Sequence, residues 1–122
     1  MENTQSILAF PILVTGAAGF IGANLVKKLF EMNDNVVVVG LDNMNDYYDV
    51  SLKEFRLREI EKIVGEKFES KWHFVNGSIA DKKLVDALFE QYHFGVVVNL
   101  AAQAGVRYSI DHPDVYIVAS LM

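Results

Sequence analysis

The sequence predicts an α/β fold, an open and doubly wound parallel sheet. Three observations carry this. Four short apolar runs, at 12–15, 36–41, 72–77 and 96–101, alternate with amphipathic stretches, as in a parallel sheet covered on both faces by helices. The first run breaks into Gly16, Gly19 and Gly22 before the first amphipathic stretch. The second ends at Asp42, 20 residues beyond Gly22.

Ile12, Leu13 and Val14 make a run too short for a helix and too apolar for a half-exposed strand. The spacing therefore predicts a buried strand ending near Thr15, with Pro11 at its start, where a missing N–H costs least. Of the three glycines that follow, one lets the backbone turn sharply, one lets it approach a pyrophosphate, and one lets the next helix pack on the strand. Ile21, Leu25, Val26 and Leu29 recur at helical spacing. The helix thus begins at the glycines, with its free N–H groups and positive dipole end aimed at that turn, a geometry that suits a pyrophosphate. Glycines alone are a weak fingerprint. Strand, glycines, helix, strand and acid in this order make a Rossmann-type one, in which Asp42 accepts hydrogen bonds from the adenosine ribose hydroxyls. The alternative for Asp42 is a turn aspartate at a strand end.

A polar and aromatic loop from Asn43 to Asp49 then sits where open α/β sheets place ligand-binding loops. Ser51 and Glu54 fit a capping box, Leu52, Phe55, Ile60, Ile63 and Val64 an apolar stripe, and Gly65 a helix stop. Lys53, Arg56, Arg58, Glu59, Glu61 and Lys62 occupy the other face, whose mixed signs predict a solvated surface. After the third run, Asp81 caps a helix that turns Leu84, Val85, Leu88, Phe89 and Tyr92 to the core. The fourth run leads into Ala102, Gln103, Ala104 and Gly105, where the small residues leave room for a ligand against the backbone. Arg107 is either an anion contact or a surface arginine. Pro113 suits a first helical position, and Val115, Val118, Ala119 and Met122 follow at i, i+3, i+4 and i+7, predicting a further helix that is begun and not finished. Right-handed crossovers order the strands 3-2-1-4, with a crevice between the first and the fourth.

Composition narrows the function classes. The chain has 122 residues, 52% of them hydrophobic, enough for one domain or part of one. It contains no cysteine, which removes disulfides, thiolate catalysis and cysteine metal sites. A net charge of −5 without a basic stripe argues against nucleic-acid binding. The segment MENTQSILAF has neither a basic start nor a long apolar core, so a cytoplasmic, membrane-free protein is expected, and Asn76-Gly77-Ser78 reads as a chance glycosylation pattern. His73, His93 and His112 share no metal-ligand spacing.

The residues VTGAAGFIG at 14–22, the Asp42-Asn43 pair and the Leu-Ala-Ala at 100–102 resemble the extended short-chain dehydrogenase/reductases that act as nucleotide-sugar epimerases and dehydratases. GLDNMNDYYDVSLK at 40–53 and LAAQAGVRYSIDHP at 100–113 are similar to the narrower family of UDP-glucuronate 4-epimerases. The resemblance implies NAD as cofactor, with Gly16, Gly19, Phe20, Ile21 and Gly22 on the pyrophosphate and Asp42, Asn43 and Asn45 along the adenosine ribose. Leu100, Ala101, Ala102 and Gln103 would lie toward the nicotinamide half. Ser78 and Ile79 stand where the family has Asp-Ile or Asp-Leu reaching the adenine, so a shorter, uncharged side chain replaces the carboxylate. Asn99 stands in place of a frequent histidine, and Ser120 in place of an asparagine.

The resemblance also implies a UDP-sugar substrate, UDP-glucuronate passing to UDP-galacturonate through a 4-keto intermediate, a tyrosine of a Tyr-x-x-x-Lys helix as acid and base, and a homodimer or other self-association. Tyr47, Tyr48, Tyr92, Tyr108 and Tyr116 all lack a lysine four residues on. Residues 1–122 therefore read as the N-terminal part of a dinucleotide-binding domain, inactive by itself. The other readings are a UDP-glucuronate decarboxylase, a dehydratase, or a dinucleotide-sensing module without catalysis. Asp42, with Asn43, Met44, Asn45 and Asp46 beside it and no cation close in sequence, predicts NAD over NADP. A fourth strand left as an open edge predicts self-association.

Overall fold

The computed structural model describes residues 10–33, 35–44, 50–65, 71–100 and 116–120, the last five through their backbone. The elements are β1 (Ile12–Thr15), α1 (Phe20–Met32), β2 (Val38–Asp42), α2 (Val50–Val64), β3 (Trp72–Asn76), α3 (Lys82–Tyr92), β4 (Val96–Asn99) and β5 (Tyr116–Ser120). They form one parallel sheet in the order β3-β2-β1-β4-β5. Ile12 lies opposite Val38 on one side and Val96 on the other, and Thr15 opposite Leu41 and Asn99. The four expected strands and their order are borne out.

Strands β1 to β4 feed two cores, because successive side chains point to opposite faces. Ile12, Val14, Val38, Val96 and Val98 pack under α1 and α2 with Ala23, Val26, Ile60 and Trp72. Leu13, Val39, Leu41 and Val97 pack on α3 with Val85, Leu88 and Phe89. β1, β2 and nearly all of β4 are buried on both faces, and for that reason their runs are continuously apolar and do not alternate. Asp81 caps α3 by accepting from the Leu84 amide at 3.2 Å. His93 closes the same helix in the left-handed region at φ 52°, and the His73 ring lies 5.5 Å from that of Tyr92. Gly65, at φ 69°, follows α2 as expected.

Four expectations are corrected. Residues 116–120 form a strand beside β4, not the start of a helix. Val115, Val118, Ala119 and Met122 satisfy a helical count, but Tyr116, Ile117 and Val118 are aromatic and β-branched in succession, and β4 offers an unpaired ladder to meet them. β4 is consequently an inner strand, with a register shift between Val97 and Val98, and the open edge expected of it is occupied. Ser51 lies inside the first turn of α2, which begins at Val50, not before it. The inward face of α2 is also shifted. Lys53 and Ile60 are buried, with Leu57 and Val64 packed beside the core, whereas Leu52, Phe55 and Ile63 are exposed.

Helix α1 approaches the sheet through Gly22. A Cβ on Gly22 would stand 2.1 Å from the Gly16 carbonyl oxygen and 2.9 Å from its carbon, both backbone atoms that no side-chain rotation can move. Gly22→Ala is therefore expected to destabilise the fold by about 3 kcal/mol, the upper part of the range for overpacking. Asn24→Ala, at an exposed position of the same helix, replaces a weak helix former with the best one and should raise stability by about 0.5 kcal/mol. Chemical denaturation of both variants checks the contrast: the same methyl-bearing residue is expected to act with opposite sign two positions apart.

Candidate functional site

The carboxyl ends of β1, β2, β3 and β4 share one end of the sheet, and the chain reverses direction across it between β1 and β4. In open α/β sheets this is the crevice that takes ligands. At its centre Gly16 leaves β1 with φ 71°, a conformation that side chains resist. The amides of Gly16 and Ala17 both donate to the Leu41 carbonyl, at 2.7 and 3.3 Å, which ties the turn to the end of β2. Gly19 is the N-cap of α1, and the first bond inside the helix runs from the Ala23 amide to the Gly19 carbonyl at 2.9 Å. The amides of Phe20, Ile21 and Gly22 precede that bond and so have no acceptor within the helix. No acidic residue lies in the first turn, so nothing there offsets the positive end of the dipole. Phe20 and Ile21 are exposed, whereas Gly22 is buried.

Asp42 is where the structure says most. Its side chain is buried. Oδ2 accepts from the Ala18 amide at 3.0 Å, and Oδ1 accepts from the Met44 amide at 2.8 Å and from Lys53 Nζ at 2.9 Å. Both ends of the Lys53–Asp42 pair are sheltered from water, with side chains 9% and 4% exposed. One turn further along α2, Arg56 Nη1 donates to the Ala18 carbonyl at 3.2 Å, and its guanidinium lies 6.0 Å from the centre of the Phe20 ring. Ala18 is thus held by its N–H through Asp42 and by its C=O through Arg56.

The other flank of the crevice is tied as closely. The Thr15 hydroxyl donates to Asn99 Oδ1 at 2.6 Å and accepts from the Leu100 amide at 3.0 Å. Strands β1 and β4 are locked at their carboxyl ends, and Leu100 is carried toward the core under α1. At the end of β3, Ser78 Oγ accepts from the Ala80 amide at 3.0 Å, and the Ser78 carbonyl accepts from Asp81 at 3.0 Å. Ile79 is buried on the α3 side of the sheet.

Of the residues expected in the site, Gly16, Gly19, Phe20, Ile21, Gly22, Asp42, Asn43, Ser78, Ile79 and Leu100 fall at this one end of the sheet. Asn45, Ala101, Ala102, Gln103 and Arg107 lie outside the described residues. Two readings are corrected. Lys53 and Arg56 are not part of a solvated face, since Lys53 is buried against Asp42 and Arg56 is half-buried against the glycine turn. Nor does Asp42 lack a nearby cation. The signal that could have found Lys53 is its place at the head of the series Lys53, Leu57, Ile60 and Val64, whose intervals of four, three and four mark the buried stripe of α2. Thr15 reads only as a strand end in sequence. Its partner Asn99 lies 84 residues away.

Removing one member of a buried ion pair leaves the other desolvated without compensation. Asp42→Ala is accordingly expected to destabilise the protein by about 3 kcal/mol or more. Adding Lys53→Met to Asp42→Ala should recover part of that loss, and urea unfolding of the two single variants and the double variant measures the coupling.

The family model described as GDP-mannose 4,6 dehydratase matches residues 13–122. Protein CapI of Staphylococcus aureus is 49% identical over 112 residues, covering 91% of this chain and 30% of its own length. UDP-glucuronate 4-epimerase 3 of Arabidopsis thaliana is 44% identical over 112 residues, covering 92% of this chain and 24% of its own. Among solved structures, the UDP-glucuronic acid 4-epimerase of Bacillus cereus in complex with UDP-glucuronic acid and NAD superposes with a TM-score of 0.62 and 35% identity, over 85% of this chain and 30% of that one. The dTDP-glucose 4,6-dehydratase of Bacillus anthracis in complex with NAD gives 0.63 and 25%, over 78% and 27%. The chain therefore spans 24–30% of the length of these relatives. With the glycine turn, the acid at the end of β2 and this match along nearly its whole length, the chain belongs to the GDP-mannose 4,6 dehydratase family of nucleotide-sugar epimerases and dehydratases.

Proposed function

We propose that the chain is the NAD-binding portion of a nucleotide-sugar epimerase that converts UDP-glucuronate to UDP-galacturonate. The observation that carries the dinucleotide is the glycine turn joined to Asp42. Three amides at the start of α1, brought close by the absent side chain at Gly22, and a buried, Lys53-paired carboxylate bonded to the turn itself form a cradle with a positive floor. A Cβ at Gly22 would strike the Gly16 carbonyl, so the missing side chain is what lets α1 bring those amides up to the turn. Identities of 40–49% to curated proteins, most of them named UDP-glucuronate 4-epimerases, support the substrate.

In this reading Gly16 and Gly19 shape the turn, and the amides of Phe20, Ile21 and Gly22 donate to the pyrophosphate. Asp42 and Asn43, together with Asn45, face the adenosine ribose, and Ser78 and Ile79 border the adenine. Leu100, with Ala101, Ala102 and Gln103, lies toward the nicotinamide, and Arg107 lies within reach of the substrate's charged groups. When bound, NAD supplies an acceptor and then a donor for the electrons of the sugar's C4–H bond. The residues of this chain bind and orient. Proton transfer falls to a Tyr-x-x-x-Lys pair, which none of Tyr47, Tyr48, Tyr92, Tyr108 and Tyr116 supplies. A cytoplasmic location and a homodimer belong to the same reading; among the described residues no helix is long and apolar enough to cross a membrane.

The description of the family model and the Bacillus anthracis neighbour favour a nucleotide-sugar dehydratase as the second reading. Both readings share the cofactor and differ in product. Calorimetric titration of NAD is expected to show one site on the chain, and incubation with UDP-glucuronate and NAD is expected to give no turnover. Saturable NAD binding that survives Gly19→Ala unchanged would count against the glycine turn as the site. Sustained formation of UDP-galacturonate would overturn the assignment of proton transfer elsewhere, and a dehydrated product would favour the second reading.

A further inference from the structure

Resting on that reading of the cofactor, we infer that Lys53 and Arg56 of α2 are specificity-determining residues, which set the discrimination between a free adenosine ribose 2′-hydroxyl and a 2′-phosphate jointly with Asp42. The inference begins with charge. By sequence Asp42 stands among neutral and acidic neighbours, an arrangement that repels a 2′-phosphate. The fold replaces that arrangement. Lys53 Nζ sits 2.9 Å from Asp42 Oδ1 in a pair almost closed to water, and Arg56 is fixed 3.2 Å from the carbonyl of Ala18, the residue whose amide Asp42 holds. Among the described residues this corner of the crevice therefore holds one carboxylate and two cations. Glu59, one turn beyond Arg56, is paired with Lys27 of α1 at 3.1 Å and does not offset them.

Position makes the pair selective. Lys53 and Arg56 are three apart on a helix, so they stand on one side of it, at the end that packs against the glycine turn. Lys53 is nearly dry, so its field at the carboxylate is only weakly screened. Arg56 is half-buried and spread over the Phe20 ring at the rim, with a planar fork suited to a phosphate. A carboxylate already bonded to an ammonium and to two backbone amides is also fixed in place, so it meets the ribose without reorganising. The discrimination that Asp42 would exert by itself is thereby reduced, and its residual size depends on the two cations.

The test is the ratio of NADP to NAD dissociation constants, measured by calorimetry on the protein and on Lys53→Met, Lys53→Arg and Arg56→Gln. Lys53→Met is expected to weaken NADP more than NAD and to raise the ratio by about tenfold, the size of one unshielded unit charge nearby. Lys53→Arg should leave the ratio near that of the unaltered protein. Arg56→Gln, at the wetter rim, should raise it by about threefold. A purely structural role would weaken both dinucleotides by the same factor, and that result overturns the inference. Should Lys53→Met fail to fold, Arg56→Gln decides, because its side chain is not enclosed by the core. A protein that binds neither dinucleotide overturns the cofactor reading and this inference with it. Binding of both with a ratio unmoved by any of the variants overturns this inference alone.

Discussion

The Asp42 carboxylate is the joint on which this end of the molecule depends. It is the last residue of β2, it holds the amide of the glycine turn, and it anchors an ammonium that reaches it from α2. Strand, turn and helix meet at one buried group, and each supplies what the others need. The carboxylate needs donors because it is out of water, the turn needs an acceptor for the Ala18 amide, and Lys53 needs a counter-charge. A buried ion pair is seldom a large net source of stability, since desolvation offsets most of the attraction. What it does supply is position. The geometry allows the carboxylate one orientation, and the glycine turn is held at a fixed distance from β2.

The same logic runs across the sheet. Thr15 and Asn99 lock the carboxyl ends of the two strands that flank the crevice, and the Thr15 hydroxyl serves both as donor and as acceptor. Gly22 lets α1 sit against the turn so that its first amides arrive where the strands end. Neither contact is chemically active. Both set the distances that a dinucleotide would read, and a binding surface made of backbone amides has no other way to be specific. The two cores behind it, one under α1 and α2 and one on α3, hold the strands from both faces, so the loops at their carboxyl ends stand on a rigid base.

Helix α2 shows how a side chain's class in sequence can mislead about its place. Counting Leu52, Phe55, Ile60, Ile63 and Val64 as the inward stripe puts Lys53 outside. The fold puts Lys53, Leu57, Ile60 and Val64 inside and leaves Leu52, Phe55 and Ile63 exposed. A lysine at the end of a buried stripe is stable there because Asp42 waits at the end of β2. That partner is 11 residues away and not visible to any helical count. With Lys53 and Arg56 both drawn to the end of β2, the described residues around Asp42 carry more positive than negative charge, which no reading of the local sequence can show.

Sequence alone determined β1 to β4, their order, the glycine turn and the acid that ends β2. These are legible because they rest on local rules. Apolar runs buried on both faces, glycines where side chains collide, and an N-cap before a helical stripe each follow from a few adjacent residues, and right-handed crossovers then order the strands. Tertiary structure alone decided the rest. Tyr116–Ser120 became a strand because β4 presented a ladder to pair with, although the spacing of its apolar residues also suits a helix. Lys53 became a buried partner because β2 and α2 meet, and Thr15 found Asn99 because β1 and β4 are neighbours. In each case the deciding group lies on another element, and the energy that settles the choice exists only once the two elements touch.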